Sequence, residues 1–480
     1  MAASLTSGGT APATSLDRRA KVALVVLLTA SFTLAVDFSI LNVALPSIGA
    51  DVGLSLGNLQ WIATSFALCA AGFTLFFGRV ADLFGKRRLF LVGMALLGIA
   101  SFVGGLAVNP AMLITARIAQ GLATAAVTPA ALALLTTTFP EGPLRERALG
   151  LNGALMAGGF TTGAILGGIL TDVLSWNWAF FINVPIALAV VAVAPLVLRE
   201  HRPATRPRLD VPGAITVTLG LLAIVFGLSR AGERSWDDPL SLTALVAGMG
   251  LLVLFYFVER LVAQPLISVA VLGRRTVAWG NVAGILAFVT ETSLVFLLTL
   301  YLQEVLGYTP LGAGLALAML GLGTVLGAIL GPRAIAKLGS RRTIVTGFTV
   351  QGLSTVPLIF LGSERGWIAV VLVATFIGGI ANLCAIIGYM VTATSGLPDH
   401  EQGLATGLAI MSQQIGITMG TPIVSAIVAA TLPGTTAPHS AELLHALSTA
   451  ITVNAALCLA TAAALAFALP KRSAATTPGA

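Results

Sequence analysis

Three ionisable side chains stand where ionisable side chains are expensive. Residues 23–46 form an apolar run of helix length that contains one acid, Asp37. A second run, 111–137, contains one base, Arg117, and a third, 277–303, carries Glu291 near its middle. A charge at the centre of a bilayer-spanning helix costs about 2.5–3.5 kcal/mol on insertion scales, so such residues line cavities and mark ion or substrate paths. The chemistry open to them is the uptake and release of a proton. A carboxylate's proton affinity depends on how far it is desolvated and how near a guanidinium lies, so a conformational change that alters either one switches it. No nucleophile–base constellation accompanies these groups. Cys69, Cys384 and Cys458 sit singly inside apolar runs with no His at ligand spacing, so they read as small core residues. Neither enzyme chemistry, nor a metal, nor a cofactor is expected.

The elements that carry the first two charges put them at one depth. Asp37 lies nine residues before Pro46, about 13 Å below the outer end of its helix at 1.5 Å per residue. Arg117 lies six residues after Ala111, about 9 Å below the outer start of its own. Both belong to the outer half, where they can pair. Plainer readings are a static ion pair, a cap on a broken helix for Asp37 and a carbonyl clamp for Arg117.

Composition makes this a polytopic membrane protein. Of the 480 residues 57% are hydrophobic and 9% charged, against roughly 25% charged in soluble domains. The net charge of +7 does not indicate nucleic acid, because the basic residues fall in short clusters between apolar runs, as topology control requires. Fourteen spans are expected, near 21–46, 58–78, 88–108, 111–137, 147–171, 178–198, 211–230, 240–260, 277–303, 311–332, 342–362, 366–392, 403–430 and 446–469. With the N-terminus inside, 22 of the 26 Lys and Arg residues face the cytoplasm, leaving Arg230, Arg234 and Arg365 outside and Arg117 within a span. Residues 1–20 and 471–480 read as cytoplasmic tails, the first of them disordered.

Gly85-Lys86-Arg87-Arg88 recurs as Gly339-Ser340-Arg341-Arg342, 254 residues later. Both copies follow an outside-to-inside helix. The expected organisation is a six-helix bundle over 21–198, a linker with two additional spans over 199–276, and a second six-helix bundle over 277–470. Parallel halves of this kind place the substrate site near the midplane between them.

At the level of motifs the chain resembles the major facilitator superfamily, and within it the fourteen-helix drug:proton antiporter branch, over nearly its whole length. Gly78-Arg79-Val80-Ala81-Asp82-Leu83-Phe84-Gly85-Lys86-Arg87-Arg88 is similar to the superfamily's signature loop, which makes Gly78, Asp82, Gly85, Arg87 and Arg88 a gating motif. In the second copy Ala336 stands where Asp82 would be. The stretch from Asp37 to Pro46 resembles the antiporter motif of the first helix, and Arg117-Ile118-Ala119-Gln120-Gly121 resembles the motif implicated in proton transfer. The fifth span runs Gly158-Gly159-Phe160-Thr161-Thr162-Gly163-Ala164-Ile165-Leu166-Gly167-Gly168, with Ala164 in place of the antiporters' proline, a departure that bears on transport direction. Trp176 and Trp178, before the sixth span, read as interfacial indoles.

The resemblance implies a proton-coupled secondary transporter of the inner membrane that exports hydrophobic or amphiphilic drugs by alternating access. Asp37, Arg117 and Glu291 would couple protons, and Asn42, Gln120, Glu291, Gln413 and Gln414 would face the substrate cavity. The partners implied are protons, a small amphiphilic molecule and the lipid bilayer, with no ATPase subunit and a monomeric state. A nutrient or peptide importer or uniporter on the same fold is the alternative, ahead of a membrane-embedded enzyme or sensor.

Overall fold

Lipid offers a backbone no water to bond, so each apolar run satisfies its own N–H and C=O groups by coiling. The computed structural model describes residues 17–54, 58–139, 143–200, 210–233, 236–262, 269–394, 399–432 and 440–470. The helices are α1 (Arg18–Ile40), α2 (Leu45–Val52), α3 (Gln60–Phe84), α4 (Lys86–Gly105), α5 (Pro110–Thr138), α6 (Pro143–Val173), α7 (Asn177–Phe181), α8 (Asn183–Val197), α9 (Val211–Glu233), α10 (Pro239–Leu261), α11 (Val269–Leu272), α12 (Arg275–Leu300), α13 (Pro310–Leu338), α14 (Ser340–Thr355), α15 (Ile368–Thr394), α16 (Asp399–Thr431) and α17 (Ser440–Ala468). No strand occurs among the described residues. Among those residues, 12 helical stretches are long and apolar enough to cross a membrane. Two more long helices, α3 and α6, have 25 and 31 residues. The expected tails fall largely outside the described residues, α1 beginning at Arg18.

The first run does not continue to Pro46 as one helix. It ends at Ile40, turns through residues 41–44 and restarts as α2, with Pro46 in the first turn. A proline ring clashes with the carbonyl four residues before it, here that of Asn42, so Pro46 stops the helix upstream of itself and opens the next one. Asp37 therefore lies in the last turn of α1.

The repeated basic turn is built the same way twice. Gly85 and Gly339, at φ of 109° and 81°, join α3 to α4 and α13 to α14, in a region of backbone space that favours glycine. At the first copy the carboxylate of Glu200, just beyond α8, accepts the backbone N–H groups of Arg87 and Arg88, each at 3.2 Å, capping α4.

Buried side chains divide unequally along the helix axes. At the end opposite the basic turns one core joins early and late helices, with Ile40, Leu45, Ile48 and Phe180 packed in the same cluster as Leu297, Tyr301, Leu317 and Leu447. Gln303 adds a bond across it, donating to the Val43 carbonyl at 2.7 Å. At the basic end the core separates in two. Leu27, Phe90, Val127 and Leu134 belong to one cluster, and Ala283, Phe348, Tyr389 and Leu465 to another. Helix α9 lies along α3, with Thr218 donating to the Gly72 carbonyl at 2.5 Å and Gln60 to the Ser229 carbonyl at 3.2 Å. Its other flank packs with Ala405 and Leu408 of α16.

Candidate functional site

Asp37 is completely buried, and its last-turn position brings its carboxylate among three other helices. Its Oδ2 lies 3.4 Å from a terminal nitrogen of Arg117 on α5. Its Oδ1 accepts from the Gln120 amide at 3.0 Å and from the Asn183 amide at 2.5 Å. Ser101 of α4 closes the cluster, its hydroxyl accepting from Gln120 at 2.9 Å and from Asn183 at 3.3 Å. Arg117, Gln120, Asn183 and Ser101 are each at most 1% exposed.

Arg117 and Gln120 share a helix face because they are three residues apart, and the guanidinium donates to the Gln120 side-chain oxygen at 2.9 Å. This fixes which end of the amide faces Asp37. The Arg117 Nε donates to the Ile62 carbonyl of α3 at 2.9 Å, and its Cζ sits 4.2 Å from the Phe66 ring centroid, within cation–π range. One negative and one positive charge thus balance in a sealed site. A proton that joined Asp37 would displace one of three N–H donors, and Asn183 already holds a side-chain oxygen without a partner.

Helix α6 presses α1 into this position. Gly163 and Gly167 face α1 so closely that a Cβ at Gly163 would overlap the Ser39 hydroxyl, and one at Gly167 the Ile40 carbonyl. The neighbouring small residues face the other way. The Ala164 carbonyl lies against Gly314 of α13, and Gly168 against the Pro310 carbonyl. Ala164 occupies the expected proline position.

Asp37 and Arg117 are together, as their depth predicts. Gln120 is part of their network, its amide consumed by Asp37, Ser101 and Arg117. Asn42 lines two small cavities between early and late helices, one with Ala164 and Leu317 and the other with Ala67 and Thr418. Gln413 and Gln414 are half-buried on α16, and neither lines those two cavities. Glu291 is on α12, outside the Asp37 cluster, with the Asn382 side chain of α15 as its hydrogen-bond partner. In the gating motif Gly78 packs toward Pro129, Gly85 makes the turn, and Arg87 and Arg88 are held through their backbones by Glu200. The side chain of Asp82 lies outside the described residues. Trp176 corrects its expectation: it is buried, and its indole N–H donates to Asp51 at 2.7 Å. Trp178 is 48% exposed. Ser101 and Asn183 were not predicted as site residues; the only signal for them was a polar side chain inside an apolar run.

A family model described as the Major Facilitator Superfamily matches residues 27–421 and again 280–479. The chain belongs to this superfamily. The puromycin resistance protein of Streptomyces alboniger is 35% identical over 441 residues, covering 91% of this chain and 86% of its own. The cephamycin export protein of Amycolatopsis lactamdurans is 38% identical over 421 residues, 85% of each chain. The crystal structure of the nucleoside transporter NupG matches 93% of this chain and 99% of its own, with a TM-score of 0.63 at 12% identity, a likeness of fold. This superfamily member is therefore a multi-pass membrane protein akin to antibiotic resistance and export transporters.

Proposed function

We propose that this protein exports hydrophobic or amphiphilic antibiotics across the inner membrane in exchange for protons. The observation that carries the reading is the sealed cluster of Asp37, Arg117, Gln120, Asn183 and Ser101. A buried carboxylate with a fixed counter-charge has little use in a passive conduit, whereas a coupled carrier needs a proton site that is closed while the substrate path is being switched. The names of the relatives, puromycin resistance and cephamycin export, supply the direction.

In this reading α3 and α6 also span the bilayer, giving fourteen spans. The basic turns and both termini are cytoplasmic. Residues 21–198 and 277–470 form two six-helix bundles, with the α9–α10 hairpin between them as a brace on α3 and α16. The described conformation, joined at the outer end and divided at the basic end, is the inward-facing one. Asp37 takes a proton from outside, its hold on Arg117 loosens, the bundles rock, and proton release to the cytoplasm accompanies substrate binding in the cavity beside Asn42. The carrier works as a monomer, and a coupling of a few kcal/mol suffices to move the two-state balance.

Asp37→Asn in proteoliposomes tests this. Export of puromycin or a cephamycin, the compounds named for the relatives, driven by a pH gradient should vanish while equilibrium binding persists. Undiminished gradient-driven transport in that variant overturns the assignment.

A further inference from the structure

Glu291 is the repeat counterpart of Asp37. The offset of 254 residues that relates the two basic turns also relates these two acids, each on the first long helix of its bundle. The surroundings then diverge. The three helices packed most extensively against α12, namely α15, α16 and α17, carry no Lys or Arg, and α14, which reaches α12 through Gln351, has its Arg341 and Arg342 in its first turn, nine or more residues from Gln351. The same offset puts Val371 where Arg117 stands and Ala374 where Gln120 stands. On α12 itself the basic residue is Arg275, sixteen residues away and hence about 24 Å along the axis.

Several other polar groups near α12 bond one another, although the Gln351 oxygen and the Tyr389 hydroxyl also lack a partner. Gln351 donates to the Thr290 hydroxyl at 3.1 Å, Asn454 to the Thr290 carbonyl at 2.9 Å, and Ser412 to Asn281 at 2.8 Å. Glu291 has the Asn382 side chain, and Asn382, 2% exposed, is left with an oxygen that no donor reaches. From residue 287 to the end of α12 at Leu300 every position is buried except Glu291, which is half-buried. The least buried residue of that stretch is thus an acid beside an unused amide oxygen.

We propose that Glu291 and Asn382 form a recognition site for a protonated amine, whose ammonium takes the place in the second bundle that Arg117 fills in the first. The carboxylate supplies the counter-charge and accepts one N–H. The Asn382 oxygen accepts a second, so an amine with at least two N–H groups fits better than a quaternary ammonium. The assignment rests on the export reading and specifies its substrate class.

The test is equilibrium binding to the purified full chain in lipid nanodiscs, with no gradient, so its outcome is independent of proton coupling at Asp37. Three probes share one apolar body: 4-phenylbutylamine, its N-trimethylammonium derivative and 4-phenylbutanol. The expected order is amine tightest, trimethylammonium next, alcohol weakest. Glu291→Gln should weaken both cations about tenfold or more, the scale of a charge-assisted hydrogen bond, and change the alcohol less than twofold. Asn382→Ala should erase the preference of amine over trimethylammonium. If Glu291→Gln loses all three probes through misfolding, Glu291→Asp decides, because recovery of the amine-over-alcohol preference supports the site and its absence overturns it. Equal binding of amine and alcohol by the wild type, no amine binding, or unchanged amine affinity in Glu291→Gln also overturns it.

Discussion

Removing both charges of the Asp37–Arg117 pair should be far less damaging than removing either one. At the observed 3.4 Å two unit charges in an effective dielectric of about 20 attract by about 5 kcal/mol, a gain set against the cost of taking both out of water. Arg117→Met leaves the carboxylate facing Gln120 and Asn183 without its counter-charge. Asp37→Asn leaves a guanidinium held by the Ile62 carbonyl, the Gln120 oxygen and the Phe66 ring. Each single change should cost about 3–5 kcal/mol, the usual penalty for an orphaned buried charge. The double variant carries neither penalty, so its loss should fall about 3 kcal/mol short of the sum. Reversible unfolding of purified protein in mixed micelles, read by tryptophan fluorescence across the four members of the cycle, measures this coupling. Trp176 and Trp178 lie close to Asn183 in sequence and report on that region. All three variants should be inactive in gradient-driven export, separating stability from function. Free energies that add to within about 0.5 kcal/mol, the behaviour of independent sites, would refute the pairing as an energetic unit.

Two further substitutions probe the elements that hold the site. Gly167→Ala, whose new Cβ meets the Ile40 carbonyl, should destabilise the fold by about 1–3 kcal/mol as an overpacked contact, whereas Gly158→Ala enters open space and should be neutral or slightly stabilising; thermal melting of the pair checks this, and equal melting would contradict the close packing. Glu200→Ala removes the acceptor for Arg87 and Arg88 and should cost about 1 kcal/mol, like other lost caps, with faster amide hydrogen exchange confined to the start of α4.

Much of this was legible from residues because membranes reward simple rules. The expense of charge in lipid singled out Asp37, Arg117 and Glu291, and the rise of a helix put the first two at one depth, where the structure joins them. Ser101 and Asn183 were not legible, since a hydroxyl or amide in an apolar run can bond its own helix backbone or a neighbouring helix equally well. Gln120 shows the same ambiguity: its position on the face of Arg117 was readable, but not that the acid would engage its amide. Trp176 looked interfacial because indoles usually are, and Asp51 on the next-door helix end reversed that. Pro46 marked the end of a helix but acted one turn upstream, through the carbonyl its ring excludes. The kinship of Glu291 with Asp37 is written in the numbering itself, and it gains meaning only once α15, α16 and α17, the helices packed most extensively on α12, are seen to carry no Lys or Arg.

The two adjoining faces of α6 have a mechanical consequence. Gly163 and Gly167 bear on α1, which carries Asp37, while Ala164 and Gly168 bear on α13. At these four positions α6 meets its neighbours with small residues, so backbone lies directly against backbone there and a shift of one helix is felt by the next without an intervening side chain. Tilting of α13 is therefore delivered through these close contacts to the last turn of α1. Any ligand bulky enough to wedge between α6 and α13 would act as a brake on transport while leaving the surroundings of Asp37 and Glu291 intact.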